Sequence, residues 1–381
     1  MKRTDHIYPW RENNQFELLV DAEVFYPRMI QAINNAKTVI LLEMYLFESG
    51  HNANQFIDAL IDAAHRGLLV QVLLDDFGSR NLSTYDRHRL LDNGVELGFY
   101  NPVYIFKRLE FRWHENLARD HRKLLLVDKQ EAYIGGAGIT DEFLPQFHKE
   151  KAWRETMVMA SGPIVKDWCH VFRQLWPVEV PKNIEPTASG DMQGRLSTST
   201  SIFSNDIRRS VIKRIRTAEQ RIWLCTAYFV PSRKLRRALR RAANRGVDVR
   251  LLLPGPQTDH PGVRRAGQRY YGRLLRHGVR IFEFQPRVLH AKTLLCDQWT
   301  SIGSSNLDRW NMRWNLEANQ NIQDSAFAQS VVDMMQADFA NSVECTYEDW
   351  LNRSWWDRFS IYVYSRIGLW MSTWERRNHK K

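Results

Sequence analysis

The polar triplet His121, Lys123, Asp128 returns 169 residues later as His290, Lys292, Asp297 with the same internal spacing. One residue separates His from Lys, and four separate Lys from Asp. The four-residue gaps, 124–127 and 293–296, are largely apolar. A turn of small residues follows each: Gly135-Gly136 in the first copy, Gly303-Ser304-Ser305 in the second. Such an apolar run predicts a buried strand, and residues two apart on a strand share a face. A chain that writes one constellation twice is built to assemble a single site from two halves.

The repetition extends beyond the triplets. Residues 42–47 match 225–230, residues 65–74 match 244–253, and residues 93–97 match 277–281, in the same order in both halves. Arg66-Gly67 and Arg245-Gly246 each read as a helix end, a glycine cap and then a strand. Strand, helix, strand, helix, strand is the pattern of each half, which places the chain in the α/β class. A period this long, occurring only twice, is not a solenoid. The 381 residues suffice for two domains of ordinary size. Pro181, Pro186, Ser189, Gly190 and a Ser/Thr run mark residues 178–200 as a linker. The expected division is therefore 1–187 with the first triplet, 188–350 with the second, and 351–381 as an aromatic and basic segment.

Two imidazoles and two ammonium groups around one pocket suit a phosphate in transfer. One histidine can attack phosphorus while the other protonates the leaving oxygen. The lysines can stabilise the equatorial oxygens as charge develops. This chemistry requires no metal, and no cofactor is expected. Cys169, Cys225, Cys296 and Cys345 are scattered without the spacing of a zinc site. A disulfide scaffold is not expected at this length.

The formal net charge of +11 favours an acidic partner, either nucleic acid or an anionic membrane surface. The densest basic segment, 233–250, carries an apolar helical stripe of Leu235, Leu239 and Ala242 with arginines on the other faces. That pattern fits a solvated helix face or a contact with lipid phosphates. Near the end, Trp355, Trp356, Phe359, Tyr362, Tyr364, Trp370 and Trp374 are mixed with Arg358, Arg366, Arg376, Arg377, Lys380 and Lys381. Aromatic rings among basic residues suit the headgroup zone of a bilayer. Residues 1–14 lack the apolar core of a signal peptide, and no stretch approaches the roughly 20 apolar residues of a spanning helix. The expectation is a protein held peripherally at the cytoplasmic face of a membrane.

The two triplets with their small-residue turns resemble the paired HKD motifs of the phospholipase D superfamily. Thr226 to Pro231, Thr258-Asp259-His260, Tyr270-Tyr271, residues 42–48, Trp153-Arg154-Glu155-Thr156 and Gly162-Pro163-Ile164-Val165 are similar to bacterial cardiolipin synthases, of the type without N-terminal membrane spans. The resemblance covers most of the chain. It implies two α/β/α halves related by a pseudo-twofold axis, with the active site at their interface. It further implies phosphatidyl transfer through a covalent phosphohistidine. The substrate would be a phospholipid, phosphatidylglycerol first among them, and a second lipid hydroxyl would accept the group to give cardiolipin. Hydrolysis to phosphatidic acid and a nucleic-acid phosphodiesterase are the alternatives. A nucleic-acid partner is not expected, because nucleases of this superfamily are often single-motif halves that dimerise. Oligomeric state is left open.

Residue by residue, the resemblance makes His121 the nucleophile and His290 the acid and base. Lys123, Lys292 and Asn306 would hold phosphate oxygens. Asp128 and Asp297 complete the motifs as structural supports, Glu155 and Glu317 would orient the imidazoles, and Gly135, Gly136, Ser304 and Ser305 would line the substrate. The second motif has one residue fewer between its Asp and its Gly than the first, and the chain departs from the family pattern at two further places. Gly138 stands where relatives commonly carry Asn, and Glu155 where cardiolipin synthases usually carry Asp.

Overall fold

Four consecutive apolar residues without polar alternation, Val39-Ile40-Leu41-Leu42, require cover on both faces of a strand. The chain meets that requirement with helices on both sides of its sheet. A computed structural model describes residues 7–102, 118–176, 185–200, 205–307 and 315–364.

In the first half the sheet runs β1 (Arg11–Val20), β8 (Thr156–Ser161), β6 (Glu131–Gly135), β5 (Lys123–Val127), β2 (Val39–Met44), β3 (Leu69–Asp75) and β4 (Glu96–Tyr100). The second half repeats the order as β9 (Met192–Ser199), β16 (Glu317–Gln323), β15 (Trp299–Gly303), β14 (Thr293–Cys296), β10 (Arg221–Cys225), β11 (Asp248–Pro254) and β12 (Arg280–Phe284). It adds β17 (Ser342–Cys345) at its edge. β1 pairs antiparallel with β9, so the two halves share one 15-stranded sheet around a pseudo-twofold axis. Each half is the α/β unit read from the sequence, with parallel pairs β2·β3·β4 and β10·β11·β12.

Three apolar clusters hold the layers. Ile40, Leu42, Phe56 and Leu60 pack the outer helices of the first half, and Leu224, Leu239, Leu251 and Ile281 pack those of the second. The third cluster joins the halves, with Trp168 and Phe172 of helix Val165–Arg173 alongside Phe327, Val331 and Met335 of helix Ser325–Ala340. The indole N–H of Trp168 donates to Gln320 Oε1 at 2.8 Å, which satisfies a polar group in that shared core. Gly67 and Gly246, at φ 87° and 89°, end the paired helices His51–His65 and Arg233–Ala243 as the glycine caps expected there.

One expectation is corrected. Residues 192–199, assigned to the linker by their Ser and Thr content, form β9 in the middle of the sheet. Ser197 and Ser199 are buried in pairing with β16, so small polar residues there serve close strand packing rather than a loose connection. At the C-terminal end, residues 355–364 are helical with Trp355, Trp356, Phe359, Tyr362 and Tyr364 exposed and Ile361 buried. Trp370, Trp374, Arg366, Arg376, Arg377, Lys380 and Lys381 lie outside the described residues.

Candidate active site

Each histidine of the repeated triplet is fastened by its main chain to the opposite half. His121 N–H donates to Leu316 O at 3.0 Å, and His290 N–H donates to Arg154 O at 2.9 Å. The second contact extends a short parallel pairing of β7 (Trp153–Arg154) with β13 (Val288–Leu289). The residue after each carbonyl supplies a carboxylate. His121 Nδ1 lies 3.0 Å from Glu317 Oε1, and His290 Nδ1 lies 2.6 Å from Glu155 Oε2. Glu155 follows the first motif and Glu317 the second, so the carboxylates are exchanged between halves. With each Nδ1 paired to a carboxylate, Nε2 is the nitrogen for chemistry, and at His290 it lies 3.3 Å from Lys292 Nζ.

The lysines stand beside these pairs. Lys123 Nζ donates to His121 O at 2.7 Å, and Lys292 Nζ donates to His290 O and to Glu155 Oε2, the latter at 3.1 Å. Both ammonium groups are buried. His121 itself begins just before β5 rather than on it, so its imidazole is set by the Leu316 and Glu317 contacts and not by strand alternation.

Burial, then the charges of Lys123 and Lys292, hold His121 well below the ordinary imidazole range. Burial and Lys292 push His290 down to about 4. Both rings are therefore neutral near pH 7. Lys292 acts on His121 and also on Lys123, so the two triplets share one electrostatic environment. The carboxylates differ. At Glu155 burial is outweighed by Lys292 and His290, and its pKa is lowered. At Glu317 burial dominates over Lys123 and lifts it to about 8. Lys123, through burial, is brought down to about 7.

The small-residue turns make room for this arrangement. A Cβ on Gly136 would collide with Glu155 Oε2, and the matched residue Ser304 donates its hydroxyl to Glu317 Oε2. A Cβ on Gly135 would lie 2.7 Å from Thr156 O. Ser305 donates its N–H to Asn319 Oδ1 at 3.2 Å. Asn306 is fully buried and accepts from Thr226 Oγ1 at 3.4 Å, while its Nδ2 has no hydrogen-bond partner among the described residues. A buried amide donor in that state is costly unless a ligand oxygen meets it. At the matched position Gly138, a Cβ would sit 2.7 Å from Leu46 Cβ and O, leaving no space for an amide.

Asp128 and Asp297 sit at the opposite ends of β5 and β14 from the histidines. Asp128 accepts the N–H groups of Lys37, Thr38 and Val39 at 2.7–3.0 Å. Asp297 accepts those of Glu219, Gln220 and Arg221 at 2.9–3.0 Å. Each thereby ties the turn that enters β2 or β10.

Sequence reasoning did not single out the rings that wall the imidazoles. Tyr45 lies 4.8 Å from His121, with Lys123 Nζ 4.9 Å from the same ring. Trp153 lies 4.7 Å and Phe143 5.8 Å from His290. Tyr228, matched to Tyr45, donates its hydroxyl to Asp259. A signal was present, since Tyr45 and Tyr228 occupy the same place in the repeated blocks.

Two His-Lys couples closed by exchanged carboxylates, at the seam of a duplicated α/β/α fold, define the phospholipase D-like class. A family described as cardiolipin synthase, PLD-like domain, matches residues 29–176 and 211–339. Cardiolipin synthase B of Shigella flexneri is 33% identical over 363 residues, covering 91% of this chain and 86% of that protein. Cardiolipin synthase A of Pseudomonas entomophila is 32% identical over 350 residues, covering 90% and 72%. Phosphatidylserine synthase of Haemophilus influenzae, at 15% identity, shares the fold with a TM-score of 0.73 over 93% of this chain and 94% of that one. The chain belongs to the cardiolipin synthase family with the phospholipase D-like domain.

Proposed function

We propose that the chain transfers a phosphatidyl group through a phosphohistidine and, with a second lipid hydroxyl as acceptor, makes cardiolipin. The observation that carries this reading is the crossed His121–Glu317 and His290–Glu155 pairing, which closes both His-Lys couples on one site. His121 Nε2 attacks the phosphorus of phosphatidylglycerol. His290, which takes up a proton from solvent at Nε2 when the phosphodiester anion binds, gives that proton to the headgroup glycerol oxygen as its bond to phosphorus breaks. His290 then removes the proton from the incoming hydroxyl, whose oxygen attacks phosphorus and releases His121. Acid and base duties fall to one group in turn, as microscopic reversibility requires.

The asymmetry of the carboxylates supports this division. Glu155 is held ionised and bonds His290 closely, which favours an imidazolium there once a phosphodiester anion lies beside it. His121 is strongly held neutral, the form a nucleophile needs. Lys123, Lys292 and the unpartnered Nδ2 of Asn306 are the donors for phosphate oxygens. Gly135, Gly136, Ser304 and Ser305 shape this end of the site. Asp128 and Asp297 support it from outside.

No helix among the described residues is long and apolar enough to cross a membrane. The net charge of +11 and the exposed aromatics of residues 355–364 support attachment to an anionic, cytoplasmic membrane face. Mass spectrometry of products from mixed phosphatidylglycerol, phosphatidylethanolamine and glycerol tests the reaction. Cardiolipin with free glycerol is the expected outcome, and phosphatidic acid as the sole product would make the chain a hydrolase.

A further inference from the structure

Helix Arg233–Ala243 and residues 269–274 enclose a cavity of about 500 Å³ lined by Arg233, Arg236, Arg237, Arg240, Arg269 and Arg273, with Tyr270 and Leu274. No acidic side chain lines it, and neither do His121, His290 or their partners. Nearby arginines are neutralised: Arg250, Arg264, Arg265 and Arg280 each pair with a carboxylate. Among the described residues, Arg233, Arg237, Arg240, Arg269 and Arg273 form no ion pair.

A solvated helix face would not look like this. Leu235, Ala238, Leu239 and Ala242 do turn one side of the helix to the core. Arg269 and Arg273, however, come from a separate segment and converge on the same cavity. Two of the six guanidinium groups are also held in place. Arg236 stacks 4.3 Å from the centroid of the Tyr270 ring, and Arg240 is held by Arg236 O at 3.3 Å and by His277 Nε2 at 3.4 Å. Burial, followed by Arg273, Arg237 and Arg241, lowers the pKa of Arg240, as expected where cations crowd without a counterion.

We propose that this cavity is a second anion site, separate from the reaction centre, that takes a phosphate group. Guanidinium forks match phosphate oxygens in bidentate fashion, and several converging cations favour a group with more oxygens and more negative charge than a single carboxylate. The phosphate can belong to a lipid headgroup or to a free phosphate. The surroundings favour the headgroup. Arg265, on helix Pro261–Gln268, pairs with Asp357 of the exposed aromatic helix at 3.2 Å, and Tyr271 packs 5.5 Å from Trp350. The basic cavity and the exposed rings of 355–364 thus share one structural segment.

Binding is read without turnover, so the proposal stands or falls independently of the transfer reaction. The probes are phosphatidylcholine vesicles with and without phosphatidic acid, and pyrophosphate in solution. The full chain is compared with R237Q/R269Q/R273Q, which changes exposed side chains of the cavity, and with K37Q/K213Q/R216Q, which removes the same formal charge from exposed positions elsewhere. The cavity variant should lose at least about tenfold in affinity for one or both phosphate probes, and the control less than about twofold. Loss confined to phosphatidic acid vesicles assigns the site to a headgroup, and loss confined to pyrophosphate assigns it to free phosphate. Equal losses in both variants, or no loss in the cavity variant, would overturn the proposal. Should the variant fold poorly, phenylglyoxal labelling of the unaltered protein serves instead. Pyrophosphate or phosphatidic acid vesicles should protect Arg237, Arg269 and Arg273, and unprotected arginines would overturn it equally.

Discussion

Glu155 and His290 belong to different halves of the chain, yet Oε2 of one lies 2.6 Å from Nδ1 of the other. Glu317 and His121 repeat the exchange at 3.0 Å. Each imidazole is thus oriented by a group its own motif does not contain. Glu155→Gln should lower kcat by about 10²-fold or more, because its carboxylate both fixes the His290 tautomer and balances the imidazolium, and Glu317→Gln should lower kcat through the lost orientation of His121 alone. Steady-state kinetics check this. Glu155→Gln should recover most of its loss on a substrate with a p-nitrophenol leaving group, which needs no protonation, and Glu317→Gln should not. Equal recovery in both would refute the division of roles.

The same division predicts where the covalent adduct forms. His121→Ala should yield no phosphoenzyme with any substrate. His290→Ala should accumulate one on His121 when the leaving group is good, since attack survives and the proton transfer is lost. Rapid quench at alkaline pH followed by peptide mass spectrometry locates it. An adduct on His290 in the unaltered protein would exchange the two assignments.

Asp128 and Asp297 give a contrasting prediction. Their carboxylates accept backbone N–H groups at strand-entry turns and touch no imidazole. Asp128→Ala should cost about 2 kcal/mol of stability through lost charge-assisted bonds, with kcat unchanged within about twofold below the unfolding temperature. Denaturant unfolding and kinetics on the same sample separate the effects. A stable but inactive variant would place Asp128 in the chemistry. At Asp128 burial is outweighed by the N–H donors of Val39, Lys37 and Thr38, so its folded pKa is lowered. Its stabilising share is present above the ordinary carboxylate range and is lost as pH falls through the lowered value.

The pH dependence of kcat/KM should be displaced on both sides. His121 is held well below the ordinary imidazole range, so the acid limb should fall below pH 6.5. Lys123 is brought down to about 7, so it loses its charge above that pH, weakens its hold on phosphate and produces an early alkaline limb. Lys123→Met should be slower throughout and lack that limb. An alkaline limb identical in Lys123→Met would remove Lys123 as its source.

Much of this was legible in the sequence because the repeat encodes the symmetry. The paired triplets, the paired glycine caps and the α/β pattern all follow from local periodicity, and the structure carries them. β9 is hidden in the sequence because Ser197 and Ser199 have the composition of a linker, and only the strand they pack against makes them part of a sheet. The exchange of carboxylates was also beyond reach. Glu155 and Glu317 could be picked out by their parallel placement, but Glu155 reaches His290 through the β7–β13 contact and Glu317 reaches His121 through the bridge between Asp120 and Leu316, both pairings of residues far apart in the chain. Tyr45 and Trp153 lie in segments the sequence marks, but their closeness to an imidazole is a tertiary fact.

Pairing β1 against β9 fuses into one polypeptide what two identical subunits could otherwise supply by dimerising. Fusion frees the copies from having to stay alike. A homodimer must carry the same residue on both sides of its axis, whereas this chain keeps an amide at Asn306 and fills the mirror position beside Gly138 with Leu46. One side of the cleft can specialise for the departing alcohol and the other for its replacement, a division of labour that symmetric parents could not encode.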